Sequence, residues 1–158
     1  MSDFEVRQAT SDDALPMAQL LSDVAEEGGL SATEPPVDVK SYAEMFAPNS
    51  DATVVAYADD QLIGGVHTEV SKHGFGKVGL IVHRDWRGKE VGSALLSEAI
   101  DWSRAQGLHK LAAETFAHNA APISLYKKFG FVEEGRRSKH YRRANGEFHD
   151  SVVLGLVL

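Results

Sequence analysis

The segment that most constrains this chain runs from Val82 to Ser93 and reads Val-His-Arg-Asp-Trp-Arg-Gly-Lys-Glu-Val-Gly-Ser. It follows an apolar run, Val78 to Val82, that has the character of a buried strand. It precedes an amphipathic helix whose apolar positions include Val91, Ala94, Leu95, Ile100 and Trp102. A strand, a glycine-bearing turn and a helix start together make an anion site. The first turn of a helix carries N–H groups without partners, and the helix dipole places partial positive charge there. Gly88 and Gly92 would let the backbone approach a bulky polyanion, and Arg87 and Lys89 add formal charge. The segment predicts a site for a pyrophosphate.

Two common owners of such a site are excluded by spacing. Gly88-Lys89-Glu90 lacks the preceding pattern of a Walker loop, and no Gly-x-Gly-x-x-Gly stands in an N-terminal strand–helix–strand unit. A second segment, Asn119-Ala-Ala-Pro-Ile-Ser-Leu-Tyr-Lys-Lys-Phe-Gly-Phe131, follows after a helix, a short strand from Leu111 to Phe116 and a loop. Residue by residue it has ordinary explanations: Asn119 suits a helix N-cap, Gly130 suits the position after a helix, and Leu125 and Phe129 suit a core.

Taken together and in this order, the two segments resemble the signatures of the GCN5-related N-acetyltransferase (GNAT) family. The first resembles its coenzyme A loop, Arg/Gln-x-x-Gly-x-Gly/Ala, with Arg87 and Gly92 at the outer positions and Glu90 where the family usually has glycine. The second resembles Asn-x-x-Ala/Pro-x-x-Leu-Tyr-x-x-x-Gly-Phe, and the resemblance extends over roughly residues 52 to 158.

The rest of the chain reads as one α/β domain, 1–158, without repeats. Phe4 to Gln8 alternates as a strand; Ser11 stands as a cap before a helix to about Glu27, with Ala14, Met17, Leu20, Leu21 and Val24 on one face. Gly28 and Gly29 end it, residues 30–38 form a loop, and a short helix lies near Val39 to Phe46. Thr53 to Ala58 and Gln61 to Val70 form a hairpin around Asp59-Asp60, and Ser71 to Lys77 turns into the strand ending at Val82. Phe131 to Arg142 and Phe148 to Leu158 form a last hairpin around Asn145-Gly146. The resemblance implies the GNAT fold: a mixed, mostly antiparallel sheet of about seven strands, splayed between the fourth and fifth, with about four helices.

What the resemblance implies for chemistry follows from that splay. Acetyl-CoA is the co-substrate; its pantetheine arm would enter the gap and bond to the backbone of Leu80, Ile81 and Val82. Arg87, Gly88, Lys89, Glu90, Val91, Gly92 and Ser93 would surround the diphosphate, with Asn119 and Tyr126 also on the cofactor side. Tyr126 stands at the family's tyrosine position and is the candidate acid for the departing thiolate. An alkyl ammonium, with a pKa of about 10.4 for lysine, must lose a proton before it attacks. Glu114, twelve residues before Tyr126, matches a glutamate of family members that acetylate ribosomal-protein N-termini and is the candidate base. The alternation of Leu111, Ala113 and Thr115 against Ala112, Glu114 and Phe116 leaves its facing open, and His67 and Glu69 are alternatives.

Composition bounds the alternatives. A net charge of −7 argues against a broad nucleic-acid surface and suits a cationic substrate. No apolar run reaches the ~20 residues of a membrane span, and the polar Met1-Ser2-Asp3-Phe4-Glu5 is no targeting segment, so a cytoplasmic protein is expected. The absence of cysteine removes disulfides, thiolate metal ligands and a cysteine acyl-enzyme, which favours direct attack in a ternary complex. No histidine spacing suggests a metal, and no Gly-x-Ser-x-Gly elbow accompanies Ser93 or Ser124. The basic segment Arg136 to Arg143 reads as a solvated strand, or else as a contact for the 3′-phosphate of CoA or an acidic substrate group. The expected acceptor is a primary amine of a small molecule or amino acid. A protein N-terminus or lysine, or a non-catalytic acyl-CoA-binding role, stands as the alternative. Dimerisation, common in the family, is a further expectation.

Overall fold

A computed structural model describes residues 3–158; the absence of a targeting segment, read partly from Met1 and Ser2, lies outside the described residues in part. The chain runs β1 (Glu5–Gln8), α1 (Ala14–Glu27), α2 (Val39–Phe46), β2 (Thr53–Ala58), β3 (Gln61–Val70), β4 (Phe75–Val82), α3 (Val91–Ala105), β5 (Lys110–Phe116), α4 (Ala120–Lys128), β6 (Val132–Arg142) and β7 (Phe148–Val157). The seven strands form one sheet in the order β1-β2-β3-β4-β5-β7-β6, antiparallel except for β4 beside β5.

Two apolar clusters fix the layers. On one face Val91, Leu95, Leu96, Ala99 and Ile100 of α3, with Tyr126 and Phe131, close over Val78, Leu111, Ala113, Val152 and Leu154. On the other, Met17, Leu20 and Val24 of α1 and Phe46 of α2 pack on Val55 and Leu62. The helical spacing of α1 therefore does what it predicts, since Ala14, Met17, Leu20, Leu21 and Val24 are all buried. Helices on both faces let the central strands carry apolar residues on both sides.

Two boundaries differ from the sequence reading by more than a residue. A 3-10 turn, Ser11–Asp13, precedes α1, and the cap belongs to Thr10, whose N–H donates to the Asp13 carboxylate at 2.8 Å. Arg7 and Tyr57 also bond Asp13, at 2.8 and 2.6 Å, so that buried carboxylate staples β1 and β2 to the start of α1. The strand ending at Val82 begins at Phe75, because Gly76 and Val78 extend the pairing with both β3 and β5. The short helix α2 falls where expected. Its start is fixed by the Asp38 carboxylate, which accepts from Ser41 N–H at 3.0 Å.

The feature that positions the site is a broken ladder. β4 and β5 pair only from Phe75 beside Lys110 to Val78 beside Ala113. Beyond that point Gly79 to Val82 stay paired with β3 and Glu114 to Phe116 stay paired with β7. The two strands diverge, each held by its outer neighbour. The sheet opens into a V.

Candidate functional site

A cavity of about 700 Å³ fills the V and runs from the α1–α2 side through the gap to the start of α3. The end at β4 and the start of α3, where a cofactor is expected, is local in sequence. His83 N–H donates to Ile63 O at 2.7 Å, so strand alternation turns the backbone groups of Leu80 and Val82 toward the gap. Ile81 turns the other way: its carbonyl lies against Gly64 of β3, within 3.2 Å of where a Cβ would sit. Of the three residues expected to offer backbone bonds, Ile81 is thus committed to β3.

The loop after β4 presents its amides as the sequence predicts. Among the described residues, no hydrogen bond within the chain engages the N–H groups of Gly88, Lys89, Glu90, Val91, Gly92 or Ser93. These free donors cluster at the start of α3, where the helix dipole adds to them. Gly88 adopts φ +74° with open space beside it. Glu90, at the α3 N-cap, adopts φ +68°, a left-handed conformation that favours glycine, the residue the resemblance leads one to expect there. Its side chain leans outward to Lys128 Nζ at 3.4 Å.

Three residues depart from expectation. Gly92 gives room to a neighbouring helix, because a Cβ there would lie 3.0 Å from Leu125 Cδ2 of α4. Arg87 reaches back to α1, with bonds of 2.6 and 2.7 Å to the Glu27 carboxylate and 3.1 Å to Val82 O. Lys89 sits with Nζ 5.1 Å from the Trp86 ring centroid and does not line the cavity. A further cation comes from elsewhere: Lys128 Nζ lies 3.3 Å from Ser93 Oγ. No spacing rule pairs those two positions; only the packing of α4 on α3 does.

Tyr126 and Glu114 both line the cavity, from opposite faces of the sheet. Tyr126 belongs to the α3–α4 cluster, and burial pushes its hydroxyl pKa up to about 12. It therefore keeps its proton across the ordinary pH range. Asn119 stands at the N-cap of α4 but caps nothing; its Nδ2 donates instead to Leu30 O at 3.2 Å.

The facing of Glu114 is settled by its neighbours. Leu111 and Ala113 enter the α3–α4 cluster, so Glu114 lies on the α1–α2 face, with Lys77 of β4 3.7 Å away. Ser151 Oγ donates to it at 2.6 Å, and Arg137 Nε lies at 3.8 Å. Burial opposes ionisation of Glu114, but the Ser151 bond and the charges of Arg137 and Lys77 prevail and hold its pKa below the usual carboxylate value. His67 also lines the cavity; its Nδ1 lies 2.7 Å from Thr53 Oγ1, and burial holds its pKa down, favouring the neutral ring. Glu69 completes this end. The basic segment is solvated from Arg136 to Arg142 apart from half-buried Tyr141, whereas Arg143 is buried.

The geometry now has the parts of an acyl-CoA site: a strand edge for an amide-bearing arm, free amides for a diphosphate, and a cavity between. A sequence model of the Acetyltransferase (GNAT) family matches residues 17–131. The chain belongs to the GNAT family. Membership makes it an acetyl-CoA-dependent N-acetyltransferase. The L-amino acid N-acetyltransferase AaaT of Escherichia coli K12 is 30% identical over 112 residues, covering 66% of this chain and 67% of AaaT. A ribosomal protein bS18-alanine N-acetyltransferase of Salmonella typhimurium is 31% identical over 99 residues, covering 63% of this chain and 66% of its own length. Among solved structures, yncA of Salmonella typhimurium with its cofactor acetyl-CoA shares the fold, with a TM-score of 0.88 over 99% of this chain and 95% of that one at 19% identity. No helix among the described residues is long and apolar enough to cross a membrane.

Proposed function

We propose that this GNAT member acetylates the primary amine of a small molecule, with free amino acids the leading class, by direct attack in a ternary complex. The observation that carries the reading is the broken β4–β5 ladder, with Glu114 on one face of the gap and Tyr126 on the other. Acetyl-CoA supplies the activated acetyl group as a thioester. The amides from Gly88 to Ser93 hold its diphosphate, and Leu80 and Val82 offer backbone groups to its arm. A β4 N–H directed at the gap polarises the thioester carbonyl, where preorganised donors are worth most.

The amine enters from the α1–α2 face, where the ionised Glu114 attracts its ammonium form. The ammonium first loses one proton to solvent; the neutral amine then attacks the thioester carbonyl, and Glu114 receives the second proton, directly or through a water, as the C–N bond forms. Tyr126 donates a proton to the sulfur as the C–S bond breaks, and exchange with solvent restores both residues. With its pKa pushed up to about 12, Tyr126 stays protonated at ordinary pH and keeps a donor hydrogen bond available to the departing sulfur. Alignment of amine and thioester in one cavity supplies much of the acceleration. The relatives' names support the acceptor class, since AaaT acts on L-amino acids and the Salmonella relative on a ribosomal-protein alanine.

The test is thiol release from acetyl-CoA across free amino acids, other small amines and N-terminal peptides. Turnover with free amino acids, abolished or nearly so in Tyr126→Phe, is the expected result. Binding of acetyl-CoA without turnover across the whole panel overturns the reading in favour of a non-catalytic acyl-CoA-binding role.

A further inference from the structure

The loop between α1 and α2 is tied down residue after residue by the far end of the chain. His118 Nε2 lies 2.7 Å from Gly29 O, and Asn119 Nδ2 donates to Leu30 O at 3.2 Å. Arg143 donates to Ser31 O at 2.9 Å and to Ala32 O at 3.1 Å. Its Nε lies 3.3 Å from Glu34, whose carboxylate also accepts from Ala144 N–H at 3.1 Å. The Arg143 guanidinium rests 5.0 Å over the Phe116 ring, and the residue is only 8% exposed. All three of its nitrogens serve this loop or Glu34, so its charge is already paired within the chain at a buried position.

The same loop residues, Leu30, Ser31 and Ala32, line the cavity that Glu114 also lines. Lifting them would leave a buried guanidinium unpaired, which is costly. A loop that would otherwise be mobile is thereby made a fixed wall.

We infer that Arg143 is a specificity-determining positioning residue: it holds residues 29–34 as a roof on the acceptor side, admitting a small amine and excluding a peptide. The inference rests on the acetyl-transfer reading above. A free amine needs only the space beside Glu114, whereas a protein N-terminus brings a chain that must lead away through an open groove. The roof occupies that exit.

The test compares Arg143→Gln with wild type, using a free amino acid and an N-terminal peptide as acceptors. For a variant that remains folded, the acceptor KM for the amino acid rises about tenfold, the scale of one lost charge-assisted bond to a buried group. The KM for acetyl-CoA stays within about twofold, and the ratio of peptide to amino-acid turnover rises. Arg143→Lys, which keeps the charge but cannot span three acceptors, recovers part of the loss. An unchanged acceptor KM and an unchanged ratio in folded Arg143→Gln overturn the inference. If that variant does not fold, Glu34→Gln removes the outer tie alone, and limited proteolysis reads the mobility of residues 29–34 in folded protein. Resistance to cleavage in wild type that is lost in Glu34→Gln supports the roof; ready cleavage of residues 29–34 in wild type overturns it. Wild type that prefers peptides overturns the inference alone, whereas no turnover with any acceptor overturns the transfer reading and this inference together.

Discussion

The two ends of the cavity are built in opposite ways. The end proposed for the cofactor comes from one continuous stretch, β4 through the first turn of α3, with α4 packed beside it. Its main donors are backbone N–H groups, which depend on conformation and little on side-chain identity. The end proposed for the acceptor is lined by Leu30, Ser31, Ala32, His67, Lys77 and Glu114 and backed by Arg137, Arg143 and Ser151, segments that meet only in the folded chain. Its groups are side chains in mutual contact. A backbone-built end tolerates substitution at many positions, while a side-chain-built end can change its ligand with one or two replacements. That difference suits a fold that keeps one co-substrate and varies its acceptor.

The largest expected effects fall on the two residues that face each other across the gap. Tyr126→Phe is expected to lower kcat by about 100-fold or more, the scale of a lost general acid, with little change in the KM for acetyl-CoA. Glu114→Gln is expected to lower kcat/KM for the amine by about 10- to 100-fold while leaving the cofactor KM alone. Because the pKa of Glu114 is held below the usual carboxylate value, it is ionised well before neutrality. The rise of wild-type kcat/KM between about pH 6 and 9 therefore tracks deprotonation of the acceptor, and Glu114→Gln keeps that slope at a lower level. No alkaline fall from Tyr126 follows until its pKa of about 12. A cofactor KM that moves with Glu114, or an acceptor KM that moves with Tyr126 alone, breaks the division between the ends.

The same contrast explains what could be read from the chain. The strand, turn and helix around Gly88 and the α4 segment carry local signals: an apolar run, glycines in a turn, a helical face. The seven strands, four helices and the order of elements follow from such patterns, with the start of α1 displaced because Asp13 serves Thr10, Arg7 and Tyr57 at once. The alternation on β5 could not orient Glu114, since Ala112 and Ala113 on opposite faces are equally apolar. Contacts with Ser151, Lys77 and Arg137 orient it, and those depend on β4 and β7 lying on either side. Arg143 was hidden among exposed basic neighbours, and only the three-dimensional approach of Ser31 and Ala32 separates it from them.

Within the cofactor end, Glu90 is the position where sequence and conformation disagree. A non-glycine residue at φ +68° costs about 1 kcal/mol, and its carboxylate stands near amides meant for an anion. Glu90→Gly is expected to raise the melting temperature by about 2–4 °C and to lower the acetyl-CoA KM a few-fold. The gain is limited because Lys128, 3.4 Å away, already offsets the charge and loses its partner in the variant. Thermal denaturation and cofactor titration check both parts. A weaker cofactor interaction in Glu90→Gly would mean that Glu90 is needed to hold Lys128 beside Ser93.

The smallest effects concern a contact that joins the ends. Arg87 belongs to the cofactor loop by sequence, yet its guanidinium grips Glu27 at the end of α1, on the acceptor side. The Arg87 bond, followed by the nearby charges, lowers the Glu27 pKa against its partial burial. A carboxyl lowered on folding contributes stability above its usual pKa of 4.5 and loses it as pH falls through that range. Both side chains are partly exposed, so the pair is worth about 0.5–1 kcal/mol. If Arg87 also serves the diphosphate, Glu27 competes for it. Glu27→Gln then lowers the acetyl-CoA KM by about two- to fourfold, Arg87→Gln raises it by a similar factor, and the double variant matches Arg87→Gln alone. If instead both single variants raise the acceptor KM and leave the cofactor KM unmoved, Arg87 is a brace for α1. The positive charge at the phosphate end then comes from Lys128 and the helix start.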